Sequence, residues 1–236
     1  MTEATNIEAN LAELAAKLRS ESAKKQLVII NNLLDLGEPG LQLLQEYLLE
    51  KKGNEPDLIM GKIYQKLSQA DLPNINEFLQ DNFECGLVPI KSDKGIDYSD
   101  LQTCLALEQF LEADKLTVEK LCQISGTLAI KRGWLYFSEV DKIPVQDLQT
   151  INNLWLIFSE GKFGYSVQRE LWLGVGKNWE KLWEKIGWKK ANNWTRYPNE
   201  FIWDLNDAPK GHLPLSNQLR GVRVINSLLS HPAWQS

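Results

Sequence analysis

The chain has 236 residues, 43% of them hydrophobic, and a formal net charge of −5. That is enough to bury one large or two modest cores, and no apolar run approaches the roughly 18 residues of a membrane span. Residues 1–18 carry acids and only a weak apolar stretch, against a signal peptide. Glu3, Glu8 and Glu13 speak against an organellar transit segment, so a cytoplasmic setting is expected.

The first eighty residues read as helices. Leu11, Leu14 and Leu18 recur at helical spacing, followed by three further sets beginning at Leu27, Leu41 and Ile59. Ser20 or Ser22 can cap the second helix. Gly37-Glu38-Pro39-Gly40 and Gly53-Asn54-Glu55-Pro56 separate the later ones, and Pro73 suits the first turn of a fifth. LVIINNLLDLGEPGLQLLQEYLLEK has the form of a HEAT-like hairpin, so residues 1–83 are expected to form an antiparallel helical bundle.

Residues 83–99 mix glycine, proline and charge without a period and read as a linker, placing the second domain at 84–236. The spacing predicts helices over Tyr98–Cys122, Asp147–Ser159, Tyr165–Leu173, Trp179–Ile186 and Ser216–Ser230. Strand-like alternation is scarce, so the fold class is all-α. Charge and rings are unevenly spread. Residues 1–130 hold 12 Lys and Arg against 21 Asp and Glu, residues 131–236 hold 14 against 10, and all nine tryptophans fall at or after Trp134. Acidic helix surfaces that keep the first half soluble explain the asymmetry, and a basic half also suits an anionic ligand.

Nothing in the chain announces catalysis. His212 and His231 lack a carboxylate or cysteine at a motif spacing, no phosphate-binding or nucleophile motif is present, and no catalytic residue is assigned. Cys85, Cys104 and Cys122 share no paired spacing, against a disulfide framework or a zinc site; they read as small hydrophobes, buried or half-buried, and no metal ligand is assigned. The positive half shows no concentrated basic stripe, so nucleic acid is not an expected partner.

The segment NNWTRYPNEFIWDLNDAPKGHLPLSNQLRGVR, Asn192 to Arg223, is a long loop studded with Trp194, Tyr197, Phe201 and Trp203. Long ordered loops are usually functional, and large rings on one can wall an apolar groove or close the domain's own core. On the expected helix after it, Arg220 and Arg223 fall one turn apart, suited to carboxylates or to a surface salt bridge. His212 reads either as an axial ligand or as a loop histidine bonding backbone or solvent.

KGIDYSDL (Lys94–Leu101), QFLEADKLT (Gln109–Thr117), DLQTINNLW (Asp147–Trp155), GKFGYSVQRELW (Gly161–Trp172) and GHLPLSNQLRGVRV (Gly211–Val224) resemble the genomes-uncoupled-four domain over about residues 84–236. The N-terminal bundle is similar to the extension of cyanobacterial members. The resemblance implies a C-terminal helical domain with a cupped groove for protoporphyrin IX and magnesium protoporphyrin IX, neither covalently bound. It also implies activation of magnesium chelatase, at the start of chlorophyll synthesis, through that enzyme's large porphyrin-binding subunit. Carried over by position, Trp194, Tyr197 and Phe201 are loop walls, Phe110 and Val140 the floor, and Asn217, Arg220 and Arg223 the polar edge. Phe110 stands where tryptophan is common, and Tyr197 replaces another aromatic. A monomer is expected, and peripheral association with thylakoid or envelope membranes stays open. A helical interaction scaffold without a small ligand, and an enzyme acting on a tetrapyrrole, are the competing readings.

Overall fold

The computed structural model describes residues 3–215 and 221–235. The helical spacing of the first part folds into α1 (Glu3–Ser20), α2 (Ala23–Asp35), α3 (Glu38–Lys51), α4 (Leu58–Ala70) and α5 (Pro73–Phe83). The starts of α3, α4 and α5 have local causes. Asp57 caps α4 by accepting the N–H groups of Ile59 and Met60 at 2.9 and 2.8 Å. Pro39 and Pro73 occupy first-turn positions of α3 and α5, where an amide hydrogen would be unpaired. Ser22 precedes α2 without a side-chain cap bond. Ile30, Leu33, Leu44, Leu48, Ile63 and Leu67 are buried between the successive helices. Gly40 permits the closest approach of α2 and α3, since a Cβ there would lie 1.7 Å from the Leu33 carbonyl oxygen. These helices belong to one compact unit, Met1–Leu87.

The second unit, Val88–Ser236, is also helical among its described residues. It contains α6 (Ser99–Ala106), α7 (Phe110–Ser125), α8 (Thr127–Arg132), α9 (Phe137–Val140), α10 (Val145–Ile157), α11 (Tyr165–Gly174), α12 (Trp179–Lys185) and α13 (Arg223–Ser230). The two-residue strands β1 (Lys189–Lys190) and β2 (Asn193–Trp194) pair antiparallel, Lys189 opposite Trp194, to turn the chain into the aromatic loop.

Three differences from the sequence expectation have local reasons. The helix expected over Tyr98–Cys122 is two helices, because Glu108 takes a left-handed φ of 55°. The helix expected from Ser216 begins, among described residues, at Arg223, because Gly221 has φ 78°. Residues 88–98 are bound to their domain. The Gln102 side chain holds both the N–H and C=O of Val88, and buried Asp147 accepts from the Asp93 N–H at 3.0 Å and the Tyr98 hydroxyl at 2.7 Å.

At the centre, Phe110, Trp155 and Phe163 pack with ring centroids 5.5–6.2 Å apart, and the Trp155 indole donates to the Thr117 hydroxyl at 2.9 Å. That bond satisfies a polar group whose desolvation would otherwise be costly. Among the described residues no helix is long and apolar enough to cross a membrane.

Candidate functional site

The aromatic loop is fastened to the helical body by polar side chains, of which Gln168 and His212 are buried. Gln168 on α11 donates to the carbonyls of Gly211 and Pro214, at 3.0 and 2.8 Å, and Lys162 reaches the carbonyls of Leu205 and Asn206. His212 is pinned at both ring nitrogens: Nδ1 lies 2.7 Å from the Ile186 carbonyl, and the Ile202 N–H reaches Nε2 at 3.1 Å. A carbonyl can only accept and an N–H only donate, so the ring is the neutral Nδ1–H tautomer with no lone pair left to ligate a metal. Burial holds its pKa below the usual histidine value, consistent with a neutral ring. Gly211 has φ 80°, and a Cβ there would meet Leu171 Cδ1 at 2.7 Å, so the loop lies closer to α11 than a side chain allows.

The rings continue a tryptophan stack. Trp172, Trp179, Trp183 and Trp188 follow one another at 4.8, 5.3 and 5.4 Å with interplanar angles of 26°, 24° and 7°. Trp194 packs on Trp183 at 5.8 Å from the strand that leads into the loop. Phe201 is wedged among Trp188, Trp203, Tyr197 and His212, leaving 5% of its surface exposed. Trp194 and Tyr197 keep 37% and 39% exposed.

These half-free rings wall a cavity of about 610 Å³. Val118 and Leu121 of α7, Leu135 and Trp134 of the turn before α9, Tyr165 at the start of α11, and Val224 and Leu228 of α13 supply the remaining apolar surface. Leu215 closes the end of the loop. The volume and apolar lining are those of a small-molecule site. Lys115 and Arg196 stand in the lining as cations; Lys115 pairs with Glu112 at 2.9 Å, and the Arg196 side chain is 85% exposed.

One carboxyl interrupts the apolar wall. Asp114 lies on the buried stripe of α7 with Phe110, Ala113, Thr117 and Leu121, and only 1% of it is exposed. It accepts the Leu215 N–H at 2.6 Å, and Tyr197 borders the same cavity. Burial pushes its pKa up to about 7, with the Leu215 N–H and the nearby Tyr197 hydroxyl pulling the other way. The Tyr165 hydroxyl beside it is buried with no partner among the described residues.

Of the residues expected at the site, Trp194 and Tyr197 border the cavity. Phe110, Val140 and Phe201 do not: Phe110 belongs to the Trp155 cluster, Val140 is enclosed on α9, which packs on α13, and Phe201 supports the loop from behind. Their exposure is replaced by burial because each sits on a face already covered by another ring or helix. Asn217 and Arg220 lie outside the described residues. Arg223 begins α13 and sets its guanidinium 5.5 Å from the Phe137 ring centroid. Asp114, Tyr165, Val118 and Leu228 were not foreseen. Only Asp114 left a trace in the sequence, an acid in register with Phe110, Thr117 and Leu121.

The fold and this hollow define a protein that is predominantly helical among its described residues and whose second unit encloses an aromatic-walled apolar cavity. The GUN4-like family matches residues 91–232, and an ARM-like repeat domain, the GUN4 N-terminal domain, matches residues 3–84. The chain belongs to the GUN4-like family. It is 50% identical over 226 residues to a Ycf53-like protein of Synechocystis, covering 95% of this chain and 97% of that one. The tetrapyrrole-binding protein of Arabidopsis thaliana chloroplasts is 46% identical over 142 residues, 57% of this chain and 54% of that one. Among solved structures, GUN4 from Chlamydomonas reinhardtii superposes with a TM-score of 0.59 at 43% identity, over 63% of this chain and 95% of that one. Ligand-free Arabidopsis thaliana GUN4 gives 0.56 at 45% identity, over 60% and 100%.

Proposed function

We propose that the cavity binds tetrapyrroles, protoporphyrin IX and its magnesium complex, and that the chain serves as a non-catalytic activator of magnesium chelatase in chlorophyll synthesis. The observation that carries the reading is the apolar hollow of about 610 Å³, walled by the half-exposed Trp194 and Tyr197 and edged by Lys115 and Arg196. A porphyrin is a wide apolar plate with carboxylates on one side, so it needs flat apolar walls, rings free to stack, and cations at one edge. The name of the Arabidopsis thaliana relative supports the same ligand class.

In this reading Trp194 and Tyr197 touch the macrocycle. Phe201, Phe110 and Val140 hold those walls from behind, and Asn217, Arg220 and Arg223 join Lys115 and Arg196 at the carboxylate edge. With both His212 nitrogens engaged, the plate is held by its faces and side chains. A chelatase partner would meet the porphyrin-binding chain through the enzyme's large subunit. The loaded and empty forms must then differ in affinity for that subunit, because a ligand shifts an equilibrium only by differential binding.

Equilibrium titration of the purified chain with protoporphyrin IX, followed by tryptophan fluorescence, tests the reading. Saturable quenching supports it. Unquenched fluorescence would leave a helical interaction scaffold, and turnover of the pigment would make the protein an enzyme.

A further inference from the structure

We propose that Arg132 is a positioning residue for the tetrapyrrole site. Its guanidinium, gripped by Glu139 and laid against the rings of Trp134 and Tyr136, holds the Trp134 indole in place as a wall of the cavity. The proposal deepens the reading of the cavity given above and rests on it.

Trp134 lies in a turn that is weakly ordered by its own backbone. It follows Gly133, which ends α8 with a left-handed φ of 68° and has no atom within 4 Å of the place a Cβ would take. The helices on either side have six and four residues, too few to stand alone. A side chain in such a turn samples several rotamers unless neighbours restrain it. Yet Gly133, Trp134 and Leu135 line the same hollow as Trp194 and Tyr197.

Arg132 supplies a restraint. Its Nη2 donates to both Glu139 carboxylate oxygens, at 2.8 and 2.5 Å, and Glu139 also accepts the Tyr136 N–H at 2.8 Å. One carboxylate thus ties the end of α8 to the start of α9 across the turn. The guanidinium carbon lies 5.0 Å from the Trp134 ring centroid and 4.5 Å from that of Tyr136, and the two rings meet edge to face at 4.6 Å. The Arg132 and Glu139 side chains are 22% and 21% exposed, so much of the screening water is excluded and the cation holds the rings more firmly than at an open site. A planar guanidinium can lie on rings while its N–H groups reach a carboxylate; a lysine ammonium is a point charge and cannot do both. Arg132 is absent from the cavity lining and its charge is met by Glu139, so it acts through Trp134 and not on the ligand's carboxylates. A plate that stacks on an indole already fixed avoids the entropy of immobilising that ring on binding.

The test titrates protoporphyrin IX into the full chain, Arg132→Gln, Trp134→Ala and the double variant, with the pigment's own absorbance reporting Kd. Arg132→Gln should raise Kd about two- to tenfold, the worth of ordering one side chain. Trp134→Ala should raise it at least as much, and adding Arg132→Gln to Trp134→Ala should change nothing further, because no ring is left to hold. An unchanged Kd in either single variant, or a full Arg132→Gln effect on the Trp134→Ala background, overturns the proposal. Arg132→Lys keeps the charge and should bind as weakly as Arg132→Gln; parental affinity there overturns it too. Acrylamide quenching of the ligand-free chain separates the clamp from the ligand reading. The Trp134 emission, taken as the difference between a chain and its Trp134→Ala counterpart, should quench more steeply in Arg132→Gln. If protoporphyrin does not bind, the tetrapyrrole reading fails, and steeper quenching still supports Arg132 as the residue that places Trp134. Equal quenching refutes it.

Discussion

Replacing Asp114 by asparagine should stabilise the protein progressively as pH rises. In the folded chain burial pushes this carboxyl from its ordinary 3.8 up to about 7. An acid whose folded pKa is raised contributes its full stability below the unfolded value and loses it as pH climbs through the folded one. Across pH 5 to 8 that linkage takes about 2–3 kcal/mol from the parent, most of it below pH 7. Asparagine does not ionise, and its carbonyl oxygen can still accept the Leu215 N–H, now at 2.6 Å. Every other titrating group is common to both chains and cancels in their difference. Urea unfolding of the two proteins at pH 5, 6, 7 and 8, analysed with a shared m-value, measures it. A gap that stays constant, or narrows as pH rises, would show that the carboxyl is hydrated in the folded state and would refute the reasoning.

Other expectations follow from the packing. Phe201→Ala should cost about 3–5 kcal/mol in denaturant unfolding, because the ring is enclosed, whereas Trp194→Ala should weaken protoporphyrin binding in a fluorescence titration while unfolding shifts by about 1 kcal/mol or less. Thr117→Val should lower stability by about 1–3 kcal/mol, since the buried Trp155 indole N–H loses its acceptor; thermal melts read the loss. Arg223→Ala, at an exposed position, should weaken protoporphyrin affinity and leave the melting temperature nearly unchanged; an unaltered Kd would remove Arg223 from the carboxylate edge. His212 and His231 both have pKa values lowered by burial, so their stabilisation is complete above about 6.5 and fades as pH falls below it; acid melts of His212→Gln should show a shallower decline than the parent.

Periodicity alone reveals much of this protein. Leucine and isoleucine at three- and four-residue spacing, with Gly-Pro breaks between, fix five helices before residue 84 and most of the later ones, because an amphipathic stripe has only one way to be buried. The concentration of tryptophans after residue 133 and the ring-rich loop likewise mark where the aromatic wall of the cavity is concentrated. The break at Glu108 and the late start of α13 were not legible, since a left-handed residue is a local backbone choice that side-chain period does not record.

Which rings face the cavity was decided by tertiary packing. Phe110, Phe201, Trp194 and Tyr197 are equivalent as sequence, all large and apolar, yet the first two are enclosed by Trp155 and Trp188 while the last two stay half-open. The role of Asp114 arises in the same way. Its place on the buried stripe of α7 is fixed by the chain, but its raised pKa and its bond to the Leu215 N–H exist only because a loop from about a hundred residues away folds over it and excludes water.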